Sequence, residues 1–304
     1  MAGSKKVVVV ALVANALITA GKLLVGLISG SAAMLAEAAH SFADCINQAF
    51  LLVSISLGNQ PADEAHPFGY GKERFFWAFV AALCIFVAGA AFSFTEGLHK
   101  VLHPVAPAGD PTWAYVVLAA AFVFDAVVLW IALQTAASQA RSAGLPLRTY
   151  LRETSDTTLK TALYEDAAAT LGVVLAAIGL YAANSLGLPV FDGIASMAIG
   201  VVLVGVAVML GRESRGLLLG MAAPPRVREK LRGAVAGFPE VRSVIVLLTM
   251  QIGPESLLVT GEINVKDDMT TDEIEALLAS IQARIREVEP QVQNIYLELH
   301  PVRA

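Results

Sequence analysis

Long apolar runs alternate with short polar breaks along residues 7–211 of the chain. A bilayer core takes about 20 consecutive apolar residues per helix. Runs near 7–29, 32–57, 75–99, 112–136, 161–183 and 190–211 meet that length and predict six membrane-spanning helices. The breaks are Ser29-Gly30-Ser31, Asn59-Gln60-Pro61 through Lys72, His103-Pro104 to Pro111, a longer polar loop from Ser138 to Lys160, and Asn184 to Pro189. After about Ala223 the pattern changes, with Pro224-Pro225 at the switch. "RVREKLRGAVAGF" has the stripe of an amphipathic helix. "VRSVIVLLTMQIG" and "SLLVTGEINVKDD" read as strands around Gly253-Pro254, and "VQNIYLELHP" as a third. Between them "TTDEIEALLASIQARIREVE" reads as a helix with Thr271 as its N-cap. The order α-β-β-α-β predicts a small α+β domain of ferredoxin-like type. The predicted domains are 1–215, a six-helix membrane domain, and 216–304, a cytosolic one.

Composition agrees with the pattern. The chain is 56% hydrophobic and 15% charged, against about 25% charged in soluble globular proteins, and its mean hydropathy is +0.66. The formal net charge of −5 is small, and nucleic acid is not an expected partner. Cys45 and Cys84 both fall in apolar stretches and form neither a disulfide framework nor a CxxC metal pair. No cleavable signal pattern follows the head MAGSKK. Lysine and arginine gather at the head (Lys5, Lys6), in the second-to-third loop (Lys72, Arg74), around the fourth-to-fifth loop (Arg141, Arg148, Arg152, Lys160) and after the sixth run (Arg212, Arg215). The opposite loops offer Lys100. This bias predicts that both termini are cytoplasmic.

One run is unlike the others. "AEAAHSFADCINQ" puts Glu37, His40, Asp44, Asn47 and Gln48 along one side of the second helix. His40 and Asp44 are spaced i, i+4 and share a face. An imidazole and a carboxylate one turn apart make half of a divalent-metal site; the alternative is a structural hydrogen-bonded pair. Glu165-Asp166 is the ionisable pair of the fifth run and the candidate second half, unless it is solvated among the headgroups. Counting ~1.5 Å per residue puts Asp44 ~12 Å and Asp166 ~8 Å above the inner face. Asp125, on the fourth run, lies ~20 Å from its outer end, near the same level. It is a third candidate ligand or a packing residue. Small residues Ala167, Ala168, Ala169 and Gly172 would let the fifth helix approach closely.

"SGSAAMLAEAAHSFADCINQ" resembles the second-helix signature of the cation diffusion facilitator family, HxxxD included. "PADEAHPFGYGKERF" is similar to that family's next loop, commonly HPxGHGKxE. The resemblance implies a homodimer, associated through the cytosolic domain, that exports Zn2+ or a similar ion (Fe2+, Mn2+, Co2+) in exchange for protons. It implies no prosthetic group, the metal being substrate. It implies a multi-pass protein, expected in the inner cell membrane. The family's fifth helix usually carries a second HxxxD. Here the stretch holds Glu165-Asp166 and no histidine, which is similar to a divergent branch that includes mitochondrial zinc transporters. Asp63 and His66 match loop positions that bind metal in some members, but Tyr70 stands where a histidine is common. Glu298 and His300 resemble a terminal metal-binding position of the soluble domain, and His99 and His103 read as a surface pair. No Walker A motif is present to power transport by nucleotide hydrolysis. Two rival readings are a membrane-embedded metallohydrolase, for which no HExxH occurs, and a metal-responsive membrane regulator without transport.

Overall fold

The computed structural model describes residues 2–105, 111–154 and 156–300. Residues 106–110 of the break before Pro111, Ser155 and Pro301 lie outside them, as do the side chains of Lys5 and Lys6. Helix α1 runs Ala2–Ser29, α2 Ala32–Gly58, α3 Glu73–Leu102, α4 Thr112–Ser142, α5 Leu147–Glu153, α6 Thr157–Ser185 and α7 Val190–Leu219. Among the described residues five helices are long and apolar enough to cross a membrane, and α1, apolar over Asn15–Ser29, is the remaining expected span. Two details differ from the sequence reading. The loop from Ser138 to Lys160 is partly helical: α4 continues to Ser142 and α5 forms inside it. Backbone bonding carries the helix past the end of the apolar run. In addition, α3 widens to a π-helix over Ile85–Ala91, which leaves no mark in an apolar sequence.

The chain divides into two compact units. The first holds residues up to Leu57 and Phe76–Arg215. Its interior is lined by small residues, with Ala33, Ala36, Ala43, Ala168 and Ala176 all buried, whereas Leu17 is 71% and Trp130 64% exposed. That inversion is expected where lipid is the solvent, because close backbone packing rather than hydrophobicity drives helices together. One such approach is Gly97 of α3 against Gly193 of α7, where a Cβ on either would strike the other's carbonyl oxygen. Gly30, at φ +63°, turns α1 into α2.

The second unit holds Gly58–Phe75 and the chain from Gly216 onward. Helix α8 (Pro225–Ala236), strands β1 (Val241–Gly253) and β2 (Ser256–Val265), helix α9 (Thr271–Val288) and strand β3 (Val292–Leu299) follow the predicted order. The sheet order is β1-β2-β3. β1 and β2 form an antiparallel hairpin, and β3 returns parallel to β2 after the α9 crossover. Leu231, Val235, Leu277, Ile281 and Ile285 of the helices close over Val259, Ile263 and Ile295 of the sheet. This is the ferredoxin-like α+β arrangement. The cap of α9 is Thr270, not Thr271. Only from Thr270 does a glutamate, Glu273, fall at N3 to complete a capping box; its carboxylate accepts from the Thr270 amide at 2.7 Å.

Candidate metal centre

The polar side of α2 faces inward. Glu37 and His40 are buried, and Asp44 is largely so. The α-helical period brings Asp125 of α4 and Glu165 and Asp166 of α6 to the same region. The charges are close enough to act on one another: Asp44 with Glu165 and Asp166, and Asp125 with Asp44, His40 and Asp166. His40 Nδ1 stands 3.8 Å from Asp44 Oδ1, too far for a hydrogen bond. Asn47 donates to Glu165 Oε2 at 2.5 Å, tying α2 to α6.

What remains is a set of buried atoms with no hydrogen-bond partner: Glu37 Oε1, both ring nitrogens of His40, Asp44 Oδ1, Gln48 Oε1, Asp125 Oδ2 and Glu165 Oε1. Buried polar atoms are normally satisfied, so each such group calls for an explanation. Here all but the imidazole are acceptors, and the imidazole is a metal donor when neutral. Acceptors and a neutral imidazole together are a donor set that suits a cation. Among the described residues no three His, Cys, Asp or Glu side chains are already gathered tightly enough to hold a metal. The donors sit on three helices, α2, α4 and α6.

Two residues that the sequence reading passed over shape this unit. Lys22 of α1 is 1% exposed and donates to Glu37 Oε2 and Ser41 Oγ, both at 2.9 Å. Asp192, in the first turn of α7, caps α2 instead of its own helix. Its carboxylate accepts from Ser31 Oγ at 2.6 Å and from the Ala32 amide at 2.7 Å. Lys100, counted as an outer-loop charge, is buried and donates to the Gly30 carbonyl at 2.7 Å. The turn between α1 and α2 is thereby held from α3 and from α7. Lys160 is likewise buried and pairs with Glu213.

The loop candidates lie in the second unit. Asp63 Oδ2 accepts from the Tyr70 hydroxyl at 2.7 Å, and Oδ1 accepts from the His66 amide at 2.6 Å. The His66 ring stacks on Tyr70 with centroids 4.1 Å apart. Hydrogen bonds from Tyr70 and the His66 backbone hold the Asp63 carboxyl below its usual range, and the same bond pushes the Tyr70 phenol up. A phenol that keeps its proton is a poor ligand, so the tyrosine closes the loop on itself. Tyr70→His is expected to open a third ligand position beside Asp63 and His66. Zinc titration of the full chain should then show one added site relative to wild type; an unchanged stoichiometry would mean that the loop geometry, not the missing imidazole, blocks binding. Glu298 is exposed, and the His300 amide and carbonyl are bonded to Ile263 and Asn264. His99 and His103 are exposed, stacked at 5.0 Å.

Five membrane-length apolar helices among the described residues, a polar stripe on α2 near acids of α4 and α6, and a ferredoxin-like unit are the frame of a membrane protein with a candidate cation site. The family model of the cation efflux transmembrane domain matches residues 8–219, and the chain belongs to the cation efflux family, the cation diffusion facilitators. It is 33% identical to the human mitochondrial proton-coupled zinc antiporter SLC30A9 over 80% of this chain and 42% of that protein. It is 24% identical to the manganese efflux system protein MneP of Bacillus subtilis over 98% of this chain and 96% of that one. The chain spans less than half the length of the zinc antiporters it matches. Solved structures of the MamM C-terminal domain include one 18% identical that covers 26% of this chain and 94% of its own, with a TM-score of 0.24.

Proposed function

We propose that the chain is a proton-coupled antiporter that moves a divalent metal ion, Zn2+ first, out of the cytosol. It is a transporter and not an enzyme, and the metal is its cargo. The observation that carries this reading is the set of unpartnered buried donors shared by α2, α4 and α6. In the proposed site His40 and Asp44 form one half, Asp166 and Glu165 the other, and Asp125 is a further ligand or proton carrier. Ligation requires deprotonated carboxylates and a neutral imidazole, so an arriving metal expels protons and returning protons expel the metal. The exchange then runs on the difference in affinity between inward- and outward-facing states. One imidazole among several carboxylates is a hard donor set, so Mn2+, Fe2+ and Co2+ are the competing ions.

Residues 1–215 form the transport domain in the membrane and residues 216–304 lie in the cytosol, with both termini cytoplasmic and the inner cell membrane as location. The chain pairs into a homodimer through the cytosolic domain. The sheet face away from the helices supports that pairing, since Leu248 and Tyr296 are exposed on it. Asp63 and His66 remain a candidate loop site that Tyr70 weakens. The test is uptake of Zn2+, Mn2+, Fe2+, Co2+ and Cd2+ into proteoliposomes under an imposed pH gradient. Zinc uptake that collapses when the gradient is dissipated is expected. Flux indifferent to the gradient would remove proton coupling, and saturable binding without flux would favour the regulator.

A further inference from the structure

Lys22 lies about 10 Å below the outer end of α1 by helical rise, well inside the hydrocarbon. Lysines near helix ends usually bend outward to reach the interface. Lys22 instead turns inward to Glu37 and Ser41. Glu37 completes the arrangement. Its Oε2 takes the lysine, while Oε1 has no partner and lies against Gly172 of α6, where even a Cβ would collide with it. The pair therefore fills the space between α1, α2 and α6 one turn above His40. The lysine's charge reaches Glu37, Asp44, Asp125 and His40.

A buried ion pair is a poor device for stability, because apolar residues of the same volume commonly pack as well without the desolvation cost. It is an effective device for fixing a charge. In a low-dielectric interior that charge acts strongly on any ion nearby. We propose that Lys22 is a tethered cation built into the transport site, and that Glu37 is its counter-ion and not a ligand of the metal. The inference rests on the reading that His40, Asp44 and the facing acids hold the metal. Both residues are then positioning groups. Lys22 limits the negative charge the site presents, so a divalent ion binds and can still leave. Glu37 cancels enough of the lysine's charge to let the ion enter.

The two roles give a reciprocal test. Glu37→Gln leaves the lysine uncompensated beside the site, and zinc affinity of the full chain in detergent, by calorimetry, is expected to fall at least about tenfold. Adding Lys22→Met to that variant removes the surplus charge, and affinity should return to within about threefold of wild type. A pair that is only structural would shift the melting temperature in these variants and leave zinc affinity flat, and that result overturns the inference. So does a Glu37→Gln loss that Lys22→Met fails to rescue, because Glu37 would then itself be a ligand. Asp44→Asn in the same assay separates the two readings. Abolished binding there with a flat Lys22–Glu37 cycle sinks this inference alone, whereas undiminished binding sinks the site on which it rests.

Discussion

Asp44→Asn is expected to abolish metal flux in proteoliposomes and to lower zinc affinity by more than about 100-fold, beyond the loss usual for a supporting residue of a metal site. Asp44 is the member of the cluster whose charge acts on both acids of α6 and on Asp125 of α4. It also stands one turn from His40 on the same helix face. The substitution keeps the size of the side chain and removes the anionic ligand. Folding should survive. Asp44 Oδ1 has no hydrogen-bond partner to lose, and a neutral amide is less costly to bury than a carboxylate. Variant protein with a wild-type melting temperature and no flux is the expected combination. Normal flux from a normally folded variant would make the stripe on α2 structural and would end the proposed mechanism.

The helices were legible because an apolar run of bilayer length has few other uses, and His40 and Asp44 because charge inside such a run is costly. What the sequence hid were partners distant along the chain. Lys22 sits alone in an apolar run, and a lone lysine there reads as one that reaches for the interface. A signal was present: Asn15, Thr19, Lys22, Gly26 and Ser29 recur at helical spacing on one side of α1. Read with Glu37 and Ser41, that stripe predicts an interface of two polar faces. Asp192 was hidden differently. An acid in the first turn of a helix reads as a complement to its own N-terminus, yet it serves the amides of Ala32 and Ala33. The tyrosine in the loop was visible as a missing ligand. Its hydrogen bond to Asp63 was not, because it depends on how the loop folds between those positions. The N-cap was missed by one residue because both Thr270 and Thr271 are suitable caps; the glutamate three positions on decides between them.

Asp166→Asn is expected to be nearly as damaging as Asp44→Asn, with flux reduced about 100-fold, while Glu165→Gln is expected to cost about tenfold. The two acids are adjacent on α6 and so point about 100° apart around the helix. Glu165 is buried and one of its oxygens is already taken by Asn47. Glutamine can still accept that hydrogen bond, so the tie between α2 and α6 survives, and only the charge is lost. Asp166 is only partly buried and acts on both Asp44 and Asp125. In the proposed site it would receive an ion or a proton, and asparagine can do neither. Asp125→Asn is the control from the facing helix. Its Oδ2 is also buried without a partner, so as a further ligand it should weaken flux less than Asp166→Asn does. All three variants and Asp44→Asn belong in one proteoliposome assay at equal reconstituted protein. If Asp125→Asn abolishes flux and Asp166→Asn spares it, the metal is held between α2 and α4, and the acids of α6 serve only to fasten that helix to its neighbour.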